Sequence, residues 1–270
     1  MASELKPAVL LIAGLDPQGC AGIAADISTI QHHDCHALPL ITAMTEQTSY
    51  GLTGMGAVKP DSFMAQYQSC VADFEIRAIK VGLIPDLAIA RCIKQILLQH
   101  DVPVVLDPVL ASTSGGLAVP ADVQAYICRE LLEHVTLLTP NLAELNILTG
   151  VTDSIEQAAG ALRGSGLRAC LVKGGHADSR YASDYFEFEH TAFYCYQEKA
   201  DYNVRGTGCV LSSSIAAHLA SGQDIRDAVV LAKAYVSRGI RLARQAGPYS
   251  IIEHSREAIT LQDMPRLCYQ

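Results

Sequence analysis

Short apolar runs alternate with segments of helical periodicity along most of this chain. Strands are predicted at 9–13, 37–43, 78–81, 104–107, 137–139 and 169–173, and runs such as Val104-Val105-Leu106 are apolar at every position. A strand covered on both faces reads that way, because neither side meets water. Helices are predicted between them, at 23–33, 61–73, 87–99, 121–132, 143–148 and 154–163. This alternation predicts an α/β fold with a central, mostly parallel sheet and helices on both faces.

After Lys173 the pattern changes. Residues 185–196 mix aromatic and β-prone residues with charges, as an antiparallel hairpin near a sheet edge would. Helices follow at 208–220 and 225–244, and the tail beyond Gly247 reads as helical or irregular. No repeat, low-complexity stretch or Gly/Ser linker divides the chain, so residues 1–270 are read as one domain.

Composition narrows the function. Half the residues are hydrophobic and 18% are charged, enough for a sizeable core and unlike a disordered chain. A net charge of −8 with no long basic run argues against a nucleic-acid partner. No apolar run approaches the roughly 20 residues that span a bilayer, so no membrane partner is expected. Met1 to Pro7 lacks the basic region and apolar core of a signal peptide, which points to the cytoplasm. The nine cysteines form no Cys-x-x-Cys pair and read mostly as buried small hydrophobes in a reducing compartment.

Candidate chemistry gathers at turns that follow strands. The loop Gly14-Leu15-Asp16-Pro17-Gln18-Gly19-Cys20-Ala21-Gly22 lies where open α/β sheets bind ligands. It fits neither Gly-x-Gly-x-x-Gly nor the P-loop, and it is equally a tight strand-to-helix turn. Lys173-Gly174-Gly175-His176 sets a lysine at a strand end, as a point charge for phosphate or as a surface lysine before a turn. Gly206-Thr207-Gly208-Cys209 opens a helix rich in small residues. The unpaired N–H groups and positive dipole end there make an anion site that the glycines allow to close. The same field would lower the pKa of Cys209, so a thiolate there would accept a hydroxyl proton or hold that hydroxyl in place. Asp107-Pro108-Val109 and Thr139-Pro140-Asn141-Leu142-Ala143-Glu144 bring an Asp, an Asn and a Glu to strand ends. Asn141 and Glu144 have the spacing of a helix capping box, and the three would also suit Mg²⁺ held mostly through water.

Taken in order, these motifs resemble the hydroxymethylpyrimidine/phosphomethylpyrimidine kinases of thiamine biosynthesis, within the ribokinase-like superfamily. The first loop with Ile23, Ala25 and Asp26, then Asp107-Pro108-Val109, Thr139-Pro140-Asn141, Lys173-Gly174-Gly175-His176 and Gly206-Thr207-Gly208-Cys209, recur in the family's order. The resemblance implies a ribokinase-like fold, ATP and Mg²⁺ as cofactors, a small-molecule pyrimidine substrate and a homodimer. It implies that 4-amino-5-hydroxymethyl-2-methylpyrimidine and its monophosphate are phosphorylated. It also implies that Asp26 and Gln47 hydrogen-bond the pyrimidine ring, with Gly14, Ala21, Thr45, Leu83 and Val109 lining the pocket. Gly206, Thr207 and Gly208 would form the anion hole, with Cys209 as the catalytic cysteine. Lys173 would touch the ATP phosphates, while Asn141, Glu144 and Asp107 organise Mg²⁺ and water.

The chain departs from the family pattern at Leu15, Cys20, Ala24 and Leu110. Asn203-Val204-Arg205 stands where Asn-Thr-His is common. Arg205 would add charge for a phosphate or mark altered nucleotide handling. Two other readings compete: a pyridoxal or pyridoxine kinase, and a catalytically weak pyrimidine-binding relative.

Overall fold

The structure, a computed structural model, describes residues 5–48, 51–110, 119–174, 180–200 and 203–270. It begins β1 (Ala8–Leu15), α1 (Gly22–His32), β2 (His36–Thr48), β3 (Gly51–Ala57), α2 (Pro60–Asp73), β4 (Ile76–Val81) and α3 (Leu87–Leu97). Next come β5 (Val104–Leu106), α4 (Ala121–Tyr126), β6 (Leu137–Leu138), α5 (Leu142–Thr149), α6 (Ile155–Arg163) and β7 (Ala169–Val172). The hairpin β8 (Tyr181–Phe188) and β9 (Thr191–Glu198) precedes β10 (Val204–Arg205), α7 (Thr207–Ala220) and α8 (Ile225–Arg241). Three short strands finish it, β11 (Arg244–Ala246), β12 (Tyr249–Ile251) and β13 (Arg266–Tyr269).

Among the described residues the main sheet runs β13-β9-β8-β7-β6-β5-β4-β1-β2-β3. Its middle, from β2 across to β7, is parallel, and antiparallel strands extend both ends. The α/β expectation is met, and β1 shows why its sequence is apolar throughout. Leu10 and Ile12 pack with Phe63, Tyr67 and Ile89 of α2 and α3. Val9, Leu11 and Ala13 pack on the other face with Ile23, Val210 and Ala232 of α1, α7 and α8. Successive strand side chains point to opposite faces, and both faces here are roofed by helices.

Three elements differ from the sequence expectation. The helix expected at 121–132 is α4 followed by a π turn at Ile127–Leu131 and a 3-10 turn at Leu132–His134. The Gly-rich β3 was not anticipated, because its apolar content is too low to signal a strand. The tail is neither helical nor wholly irregular. β11 and β12 form a small sheet with β10, and β13 joins the edge of the main sheet beside β9. Such three- and four-residue strands exist through their partners, not through any local pattern. Among the described residues no helix is long and apolar enough to cross a membrane.

β1 has β2 on one side and β4 on the other, so the direction of winding reverses there. Open α/β sheets bind ligands beyond the carboxyl ends of the strands at such a switch point.

A cluster of histidines packs against α8. His33 accepts or donates a hydrogen bond with Ser214 at 2.7 Å, and His254 does so with Tyr235 at 2.8 Å. Burial pulls His33 down to about 3 and His254 down to about 4, from an ordinary value of 6.5. The unfolded chain therefore takes up these protons first, and stability should be full above pH 6.5 and decline as pH falls towards 4. Urea midpoints across that range test this, and His33→Gln should flatten the decline.

Candidate active site

At the switch point the first loop is knitted together by Asp16. Its carboxylate accepts from the backbone N–H groups of Gln18, Cys20 and Ala21 at 2.9, 3.2 and 3.0 Å. An Asp bonding N–H groups just ahead of it is the usual device for such a turn. The Thr45 hydroxyl on β2 donates to the Leu15 carbonyl at 2.7 Å and ties the loop to the neighbouring strand. Gly14 faces Leu83, since a Cβ added at Gly14 would lie 2.9 Å from the leucine Cδ2. Gly14, Ala21, Thr45 and Leu83 thus gather along this crevice, while Val109 follows Asp107 at the end of β5.

Gly206 brings the start of α7 onto that loop. It is left-handed at φ 82°, and a Cβ there would sit 1.9 Å from the Cys20 carbonyl oxygen. Glycine is required for both reasons. The first bond into α7 runs from the Val210 N–H to the Gly206 carbonyl, with no side-chain cap. The N–H groups of Thr207, Gly208 and Cys209 are therefore left without helical partners, at the positive end of a 14-residue helix. A Cβ at Gly208 would stand 3.3 Å from Lys173 Nζ and 3.7 Å from Asp107 Oδ2. That adjacency joins three segments far apart in sequence.

Lys173 donates to Asp107 at 2.6 Å. Burial opposes the lysine's charge, but Asp107 and Glu144 outweigh it and hold its pKa above the ordinary value. Burial raises the Glu144 carboxyl, against the pull of Lys173. Asn141 and Glu144 form a capping box, with Glu144 accepting from the Asn141 N–H at 2.8 Å and Asn141 from the Glu144 N–H at 2.9 Å. The open backbone N–H groups and Lys173 suit an anion such as a phosphate, and the carboxylates of Asp107 and Glu144 suit a hydrated cation beside it. They do not offer a ready cage for a bare ion. Among the described residues no group of three or more His, Cys, Asp or Glu could hold a metal. Gly175 and His176 lie outside the described residues. Gly174 is pinned by the approach of β8, because a Cβ there would meet the Ser183 carbonyl oxygen at 1.9 Å.

Three expected residues have surroundings that the sequence did not show. Asp26 lies beneath the crevice, fully buried, with Lys80 donating to it at 2.7 Å and Ser213 at 2.8 Å. Each of its carboxylate oxygens thus has a donor within the protein. Cys209 stands in the first turn of α7 as expected, but burial pushes its thiol up to about 11 despite Lys80 nearby. The expected lowering fails because desolvation exceeds what Lys80 and the Gly22 N–H return. Arg205, expected to add charge for a phosphate or to mark altered nucleotide handling, reaches Gln18 at 2.9 Å and Gln47 at 3.3 Å.

Lys80 and Asp16 escaped the sequence reading. The signal for Lys80 was a charge inside the otherwise apolar Ala78-Ile79-Lys80-Val81. Its ammonium has no exposed surface, and a Cβ at Gly82 would approach it to 2.9 Å. Burial works against its charge, yet Asp26, Cys209 and Asp107 keep its pKa above the ordinary value.

The family model described as Phosphomethylpyrimidine kinase matches residues 16–252. The chain belongs to this family. Consistent with that membership, a hydroxymethylpyrimidine/phosphomethylpyrimidine kinase of Rhizobium meliloti is 36% identical over 240 residues, covering 87% of this chain and 90% of the relative. A family member of known structure, the phosphomethylpyrimidine kinase from Clostridium difficile, superposes with a TM-score of 0.76 at 28% identity, covering 87% of this chain and all of that one. The pyridoxal kinase from Staphylococcus aureus in complex with ADP superposes more fully, with a TM-score of 0.87 over 99% of each chain. At 24% identity that likeness shows the ribokinase-like fold alone. Family membership rests on the sequence match.

Two outcomes follow from this geometry. Asp26→Asn or Lys80→Met alone should cost about 3–5 kcal/mol by leaving a buried charge unpaired, while the double variant should regain most of it in urea denaturation. At pH 8, peptide mapping should find exposed Cys268 alkylated well before Cys209, whose thiol stays protonated.

Proposed function

We propose that this chain uses ATP to phosphorylate 4-amino-5-hydroxymethyl-2-methylpyrimidine and then its monophosphate, as steps of thiamine biosynthesis. The observation that carries the reading is the meeting of Gly206, Gly208, Lys173 and Asp107 at the start of α7, next to the loop of Asp16. The names of the relatives support the pyrimidine as acceptor. The same reading makes residues 1–270 one kinase unit, acting as a cytoplasmic homodimer.

Phosphoryl transfer asks for positioning and for stabilisation of charge more than for covalent chemistry. Bound ATP with Mg²⁺ would supply the phosphoryl group, with Asp107, Asn141 and Glu144 holding the ion mostly through water. The N–H groups of Thr207, Gly208 and Cys209 point at the charge that develops on the transferred group, and Lys173 adds a cation on the donor side. On the acceptor side, Gly14, Ala21, Thr45, Leu83 and Val109 shape the pocket, and Gln47 meets the ring.

A Cys209 thiol that keeps its proton up to about 11 holds the acceptor hydroxyl as a hydrogen-bond partner, not as a resident thiolate. Lys80 beneath it is the charge that would favour a thiolate if one formed during the reaction. Asp26 then contributes through Lys80 and through the Ser213 hydroxyl on α7.

The test is ATP-dependent turnover of the pyrimidine, its monophosphate and pyridoxal side by side. Pyrimidine turnover should dominate, with kcat nearly flat between pH 7 and 9. Cys209→Ala should lower kcat by about 10²-fold or more. Preference for pyridoxal would keep the chemistry and overturn the substrate. Binding without turnover of any acceptor would overturn the kinase in favour of a pyrimidine-binding relative.

A further inference from the structure

Arg205 occupies a position that neither the anion hole nor the phosphate contacts explain. Its strand β10 pairs with β12, with Arg205 opposite Ile251, and its guanidinium carbon stacks 4.8 Å from the centre of the Tyr249 ring. One of its nitrogens donates to Gln18 Oε1 at 2.9 Å, and the Tyr249 hydroxyl donates to the same oxygen at 2.8 Å. Another donates to Gln47 Oε1 at 3.3 Å. The guanidinium is thus held from the first loop, from the small sheet and by an aromatic face.

A guanidinium offers five donors and no acceptor. An amide beside it must turn its oxygen inward, which directs the Gln47 Nε2 hydrogens away from Arg205. Gln47 shares with Thr45 the half-buried face of β2, whereas Met44, Glu46 and Thr48 between and beside them are exposed. Thr45 meets the first loop from that face. A free glutamine turns either end of its amide to a ligand, but one whose oxygen is held by arginine presents its N–H donors and so favours a ligand acceptor. Asp26, the other side chain expected at the ring, is taken by Lys80 and Ser213.

We propose that Arg205 is a specificity-determining positioning residue: it locks the Gln47 amide so that the acceptor ring must present a hydrogen-bond acceptor, an unprotonated ring nitrogen, to Gln47 Nε2. The proposal rests on the reading that Gln47 meets the acceptor ring. Arg205 acts on acceptor choice and not on the nucleotide.

The experiment compares affinity, KM and kcat for the aminopyrimidine and for its two deaza analogues, each with C–H in place of one ring nitrogen. Wild type, Arg205→Lys, Arg205→Met and Arg205→Glu are measured alongside. Wild type and Arg205→Lys should prefer the intact ring over one deaza analogue by about tenfold, chiefly in KM. Arg205→Met should shrink that preference. Arg205→Glu presents an acceptor to the amide, turns it over, and should abolish or reverse the preference. Pyrimidine turnover with the same preference in all four proteins overturns the assignment.

The side-chain amide ¹H–¹⁵N resonances of Gln47, identified by their loss in Gln47→Leu, give a readout that needs no substrate. They should move in Arg205→Glu and stay near wild type in Arg205→Lys. Unmoved resonances overturn the proposal even if pyrimidine turnover fails, whereas moved resonances without turnover would count against the kinase reading alone.

Discussion

A lysine ammonium without water around it must have a carboxylate beside it, and that requirement ties the centre of this molecule together. Lys80 rises from β4, Asp26 comes from α1, and Ser213 completes the carboxylate's shell from α7. All three segments border the place where the sheet's winding reverses. The pair therefore holds the start of α7 at the switch point, where its unpaired N–H groups face the crevice. Burial of this kind is weak as a source of net stability and strong as a source of geometry, since any misplacement leaves a charge uncompensated.

Close backbone contact does the rest of the positioning. Gly206 lies against the Cys20 carbonyl with no room for a Cβ, and Gly22 is held as tightly against the Gly14 carbonyl. The first loop and the α7 terminus thus form one continuous rim. At one end of the rim, Lys173 lies between the carboxylates of Asp107 and Glu144. At the other end, the small sheet of β10, β11 and β12 carries Arg205 and Tyr249 up to Gln18 and Gln47. The short strand β10 leads directly into the start of α7.

The same packing explains why Cys209 differs from a simple helix-terminus cysteine. Lys80 and the Gly22 N–H favour a thiolate, while burial, Asp26 and Asp107 disfavour it, and the second group prevails. A site that excludes water strengthens its hydrogen bonds and raises the cost of any resting charge. A protonated thiol next to a buried cation is a consistent arrangement under those conditions.

The sequence by itself determined the alternating βαβ order, the two-faced burial of β1 and the glycine-rich turns. Each depends on local pattern: short continuous apolar runs, a capping box at Asn141 and Glu144, and paired glycines before a helix. It also determined family membership, through motifs in order. Only the tertiary structure decided which side chains remain free to meet a ligand. Asp26 and Arg205 look alike in sequence, as single charges beside a motif. Packing withdraws the first beneath the crevice against Lys80 and brings the second to Gln47. The tail strands were likewise undecided, and the Cys209 shift runs opposite to the one expected from the helix start, because both arise from partners distant along the chain and from desolvation, which no local pattern encodes.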